Sequence, residues 1–115
     1  MDTLIEGQAE FLKALAHPTR LRLLYQLVEG ERCVCDLMTG TTIEQVSVSQ
    51  HLAILRNQGI VETRREGTRI IYRLKRHEAE KVLALAAVAV TARIEEGNAM
   101  LQRLQARDAI GGTVS

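Results

Sequence analysis

Cys33 and Cys35 are the only cysteines in the 115-residue chain, and a single valine separates them in 31-ERCVCDLMTG-40. Thiolates are soft donors, so a close pair can hold a soft, thiophilic ion. The same pair can close into a disulfide across one residue. Such a ring is strained and easily reduced, which suits a redox or reactive-sulfur signal. The plainest alternative is two small buried apolar side chains, and the clustering of the whole thiol supply at one place argues against it. The segment reads as a short helix over 33–40, whose N-terminus favours the thiolate. On a regular helix residues i and i+2 point about 200° apart. Both sulfurs could then grip one ion only if the helix start were distorted. No βαβ pattern, third catalytic group or Gly-rich phosphate loop accompanies the thiols, so no turnover of a disulfide substrate is expected.

The elements that must position this pair follow from periodicity. Residues 3–16 are helical, with Leu4, Phe11, Leu12 and Leu15 recurring at helical spacing. Pro18, the only proline, sits where a proline opens a helix, after His17 in an N-cap-type position. That helix runs to Gly30, with Leu21, Leu24 and Leu27 on one face. After the short helix comes 44-EQVSVSQHLAILRNQG-59, with a start near Glu44 among several capping-box spacings (Thr41…Glu44, Thr42…Gln45, Ser47…Gln50). Val48, Leu52 and Leu55 face inward, and Gln45, Ser47, Ser49, Gln50 and Arg56 face out. The period then changes: 60–65 and 68–74 are β-rich and flank Glu66-Gly67, the pattern of a hairpin. A last helix covers about 77–105. Its small-residue centre must be buried, against a partner chain.

Length implies one domain, residues 1–107, with a disordered tail at 108–115. The longest apolar run, 82-VLALAAVAV-90, is shorter than the roughly 20 residues a bilayer span needs. With no basic leader at the N-terminus, the expectation is a cytoplasmic protein with no membrane contact. Net charge is +1, yet residues 56–76 hold seven basic side chains against two acids. A basic stripe on a near-neutral protein is a footprint for a polyanion.

Two helices joined by a tight turn and followed by a basic hairpin make a mainly α fold: a winged helix-turn-helix of five helices with a two-stranded β-hairpin wing. The second helix of the pair would enter the major groove of double-stranded DNA. Gln45, Ser47, Ser49, Gln50 and Arg56 suit base edges or phosphates. His51 lies beside that face and suits packing or a phosphate contact. Arg64, Arg65 and Arg69 of the wing would carry the salt-sensitive phosphate contacts.

The strings 14-ALAHPTRLRLL-24, 33-CVCDL-37, 49-SQHLAILRNQGIV-61 and 64-RREGTRIIYRL-74 closely resemble the ArsR/SmtB family of winged-helix metal-sensing repressors. The resemblance covers about residues 9–77 in the right order and spacing. It implies a homodimer joined through its first and last helices, which binds operator DNA without any cofactor and is released by an inducer. Relatives that share 33-CVCDL-37 bind arsenite, antimonite, cadmium or lead there, so Cys33 and Cys35 are the implied metal ligands. Distortion of the helix they start would tilt the recognition helix.

This chain departs from the arsenite sensors where they carry a third cysteine and it has Met38. A third ligand would then be water, hydroxide, a small thiol or Met38 itself. The zinc and nickel sensors bind on the last helix. The matching positions here are Arg76, Glu78, Ala89 and Ala92, which cannot bind a metal. His77, Glu78 and Glu80 read as caps and surface charge.

Overall fold

The computed structural model describes residues 1–38 and 45–114, without the side chains of Met38, Gln45 and 108–114. The helix-start readings on Thr41, Thr42 and Glu44 lie outside the described residues. The element order is α1 (Asp2–Leu15), α2 (Pro18–Glu29), β1 (Arg32–Cys33), α3 (Val34–Met38), α4 (Gln45–Asn57), β2 (Val61–Glu66), β3 (Arg69–Leu74) and α5 (His77–Val114). The chain falls into two units, Met1–Glu80 and Lys81–Ser115.

In the first unit, α2 starts as its sequence requires. His17 is extended, its Nδ1 accepts the Thr19 N–H at 3.1 Å, and Pro18 follows in the first turn. Leu23, Leu24 and Leu27 of α2 meet Leu37 of α3 and Val48, Leu52 and Leu55 of α4 in one buried core. The end of α4 is a Schellman cap. The Ile60 N–H donates to Leu55 O at 3.0 Å and the Gly59 N–H to Arg56 O at 2.9 Å, with Gly59 at φ 69°. Leu55 and Ile60, the apolar pair of that motif, are both fully buried. The Ile60 carbonyl then accepts from both Lys75 N–H (2.8 Å) and Arg76 N–H (3.1 Å), closing the base of the wing.

The wing is the expected hairpin. Strands β2 and β3 pair from Val61↔Leu74 to Glu66↔Arg69 around a Gly67-Thr68 loop, with Gly67 at φ 63°. Glycine first and a non-glycine second is the residue order of a type II′ turn. The sheet corrects the sequence reading in one respect. It has three strands in the order β1-β3-β2, because Arg32 and Cys33 pair with Tyr72 and Ile71. Cys33 therefore ends a strand and does not start a helix. The last helix also differs, continuing beyond about residue 105 to Val114. A helix already nucleated adds one hydrogen bond per residue fixed, and 106-ARDAI-110 contains nothing that stops it.

Candidate metal or redox site and nucleic-acid interface

The change from strand to helix between Cys33 and Val34 is what brings the two thiols together. A helical period would turn them apart, whereas an extended Cys33 followed by helical Val34 and Cys35 turns them toward each other. They are joined in a disulfide, with Cα atoms 5.4 Å apart. Cys33 is buried (2% exposed) and Cys35 is exposed. The Asp36 N–H points at Cys33 Sγ, at 3.3 Å. The Asp36 carboxylate completes a group in which the sulfurs and one oxygen lie within 4.8 Å of one another. Two thiolates and a carboxylate form a mixed soft and hard donor set, able to hold a thiophilic ion once the sulfurs are reduced. Any contribution of the Met38 side chain lies outside the described residues.

On the outer face of α4, where the sequence places the DNA contacts, Ser49 and Gln50 are exposed, Ser47 is half-buried, and the Gln45 side chain is not described. Val46, Ser49, Gln50 and Ala53 line a shallow open hollow along α4. A second hollow of about 280 Å³ lies where α4 meets the wing, and it gathers Arg56, Arg64 and Arg65 with Thr63, Ile70 and Tyr72. Helix and wing arginines thus converge on one basic surface. Arg69 lies outside that hollow, near the tip of the wing.

His51 turns away to the corner between α1 and α2. Its ring lies on His17, centroids 4.3 Å apart, and its Nδ1 is 3.2 Å from Arg20 Nη1. Arg20 also donates to the Ala14 and Lys13 carbonyls at 2.6 and 3.0 Å, so it ties the end of α1 to the recognition helix. A guanidinium can only donate, so His51 Nδ1 accepts and the ring is neutral. Burial, then His17, then Arg20 lower the His51 pKa from its ordinary 6.5. Between that lowered value and 6.5 the unfolded chain binds more protons than the folded one. The stabilising contribution is full above 6.5 and is lost as pH falls through the folded value. In urea unfolding at about pH 7.5 and about pH 5.5, His51→Gln should flatten the pH dependence of stability. An unchanged difference between the two pH values would remove His51 from this role.

Sequence reasoning missed two acids from outside the hairpin that face the wing, Glu31 and Asp36. Glu31 takes Arg64 Nη1 at 2.5 Å, Glu66 takes Arg64 Nη2 at 3.2 Å, and Asp36 lies 3.6 Å from Arg69. The hydrogen bond that Arg64 donates to the Glu31 carboxylate is the main cause that raises the Arg64 pKa. Arg73 is paired with Glu62 on the neighbouring strand. Arg56 and Arg65 make no ion pair among the described residues. Only the three-strand register puts Glu31 and Asp36 beside the wing, and no local pattern signals it.

No helix among the described residues is long and apolar enough to cross a membrane. Residues 17–63 match the family model described as bacterial regulatory protein, arsR family. The chain is 36% identical over 106 residues to the uncharacterised HTH-type transcriptional regulator Rv0081 of Mycobacterium tuberculosis, spanning 91% of this chain and 93% of that protein. The crystal structure of Rv0081 superposes with a TM-score of 0.74 over 81% of this chain and 94% of that one. The homodimeric winged helix-turn-helix domain of Mb0332 from Mycobacterium bovis, solved by NMR, superposes with a TM-score of 0.73 at 36% identity, over 83% of this chain and 88% of that one. The repressor BigR from Xylella fastidiosa superposes with a TM-score of 0.66 at 44% identity, over 76% and 91% of the two chains. A wing tied to the recognition helix, and relatives that match it along nearly their whole length, place the chain in the ArsR family of bacterial regulatory proteins, winged helix-turn-helix transcriptional regulators that are not enzymes.

Proposed function

We propose that the chain is a cytoplasmic, dimeric repressor that holds operator DNA in its signal-free form and reads its inducer at Cys33 and Cys35. The inducer is trivalent arsenic as arsenite or antimonite, or another thiophilic ion such as cadmium or lead. The observation that carries this reading is the convergence of the two cysteine sulfurs, Cys33 Sγ and Cys35 Sγ, beside the Asp36 carboxylate. DNA binding itself needs no cofactor, since helix and wing supply every contact. Residues 1–107 act as one DNA-binding and dimerisation domain. Dimerisation is supported by the apolar side chains exposed on the first and last helices, Leu4, Ile5 and Leu12 on one and Leu85, Val88, Ile94 and Leu101 on the other.

Gln45, Ser47, Ser49, Gln50 and Arg56 face the major groove, and Arg64, Arg65 and Arg69 meet phosphate. His51 contributes by fixing α4 in place. Signal transfer has a short path, because α3 packs on α4 and Cys33 is paired to the wing strand β3. An ion held by both sulfurs would fix the turn 33–36 in a geometry different from that of the free thiols.

A second reading keeps the repressor and changes the signal: oxidation or persulfidation of the same pair. It is favoured by the joined sulfurs of the structure. One experiment tests both readings. Reduced protein is bound to a labelled duplex of its own promoter and followed by fluorescence anisotropy, with arsenite, with cadmium, and with a thiol oxidant. Cys33→Ser/Cys35→Ser runs alongside. Arsenite or cadmium should raise the dissociation constant of the reduced wild type about tenfold or more and leave the variant unchanged, the size of an ordinary coupling between sites. Release by oxidant alone transfers the assignment to redox sensing. Release of both proteins by the ion removes the thiols from the site.

A further inference from the structure

The segment that carries the two cysteines also carries two carboxylates, and each is ion-paired with a wing arginine. Glu31 holds Arg64 and Asp36 holds Arg69. We propose that Glu31 and Asp36 are positioning residues that keep Arg64 and Arg69 off the DNA, and that their hold is set at the Cys33 sulfur. The inference deepens the functional reading above and rests on it for the nature of the signal.

Two structural links make the coupling. Cys33 is paired with Ile71 and Arg32 with Tyr72, so Glu31 stands at a fixed register beside the wing. The Asp36 N–H contacts Cys33 Sγ at 3.3 Å, so whatever bonds to that sulfur moves the turn that carries the Asp36 carboxylate. All four side chains are about half exposed, between 42% and 58%. Exposed pairs contribute little to fold stability. They matter here because a carboxylate and a phosphate compete for the same guanidinium donors.

With the sulfurs joined, both arginines are held. Reduction by a small dithiol transfers two electrons and two protons to the pair, giving two thiols and the oxidised reductant. The 33–36 turn is then released, and Arg64 and Arg69 exchange carboxylate for phosphate. Arg56 and Arg65 are not subject to this control, so the protein retains a basal, weaker grip on DNA when the hold is on.

The test uses the full chain in anisotropy titrations over a salt series, once reduced and once with the disulfide formed. Glu31→Gln/Asp36→Asn is compared with Glu10→Gln/Glu29→Gln. The second pair removes the same charge from acids that bind Lys13 and Arg32, not the wing. Expected for the disulfide form of Glu31→Gln/Asp36→Asn is affinity about tenfold above the control. Its slope of log K against log salt should be steeper by about one to two, near one for each freed arginine. The gap between reduced and disulfide forms should shrink toward nothing in that variant alone. Equal affinity and slope in the two variants overturns the proposal, because the effect is then only distant charge. A wild type with one affinity whether reduced, oxidised or arsenite-treated overturns the thiol-signal reading instead. The comparison of the two variants still decides the hold of Glu31 and Asp36 in that case.

Discussion

Alanine at Arg64, Arg65 and Arg69 together is expected to weaken operator binding roughly a hundredfold near 0.15 M salt, and to flatten the slope of log K against log salt by about 2 to 3. On the proposed interface, each arginine lost would be one phosphate contact whose counterions are no longer released. The single variants should not be equal. Arg65 makes no ion pair among the described residues, so Arg65→Ala would remove the proposed phosphate contact and break no ion pair. Arg64→Ala and Arg69→Ala also leave Glu31 and Asp36 without their partners, facing the DNA as bare negative charge. Those two should cost more at low salt, where repulsion is least screened. Arg73, bound to Glu62 within the wing, should cost little when replaced. A triple variant that keeps wild-type affinity and salt slope would move the interface off the wing altogether.

The second large effect lies inside the recognition helix. Leu52 is fully buried among the α2 and α4 core residues. Leu52→Ala should cost about 2 to 5 kcal/mol, the lost transfer energy plus the cavity left behind. That is a large share of the roughly 5 to 15 kcal/mol that hold an ordinary domain folded. Ser49→Ala, three residues away on the exposed face, should change stability by no more than about 0.5 kcal/mol while weakening DNA binding. Urea unfolding at a fixed protein concentration separates the two, since a dimer's apparent stability depends on concentration. A Leu52→Ala midpoint that matches wild type would mean that the core is not where burial places it.

Legibility in the sequence tracked how local each cause is. The start of α2 could be read because His17 and Pro18 act on their own helix. The inward face of α4 was visible in Val48, Leu52 and Leu55, all fully buried. The wing showed itself through a period change around Gly67. Strand β1 was invisible, because two residues carry no period and their pairing with β3 is a tertiary event. That one omission misdirected the reading of the thiols. Assuming a helix at Cys33 turned the sulfurs apart, while the strand end turns them together. The acids at 31 and 36 were hidden for the same reason, since their partners lie at least 33 residues away and meet them only through the register of the sheet. Which residues would touch DNA was read from side-chain type and helical face, and the hollow that collects Arg56, Arg64 and Arg65 joins helix and wing in a way that spacing alone does not reveal.

The carbonyl of Ile60 takes two N–H groups, from Lys75 and Arg76, directly after the cap that ends α4. Both strands of the wing are therefore tethered at one backbone atom. A change of length at the Gly67-Thr68 tip leaves that tether untouched. One residue added at 58–60 or at 75–76 would break it and shift the groove-reading helix against the wing. A longer or shorter tip would thus leave the span from helix to wing as it is, so the reach of the wing could change without redesign of the core.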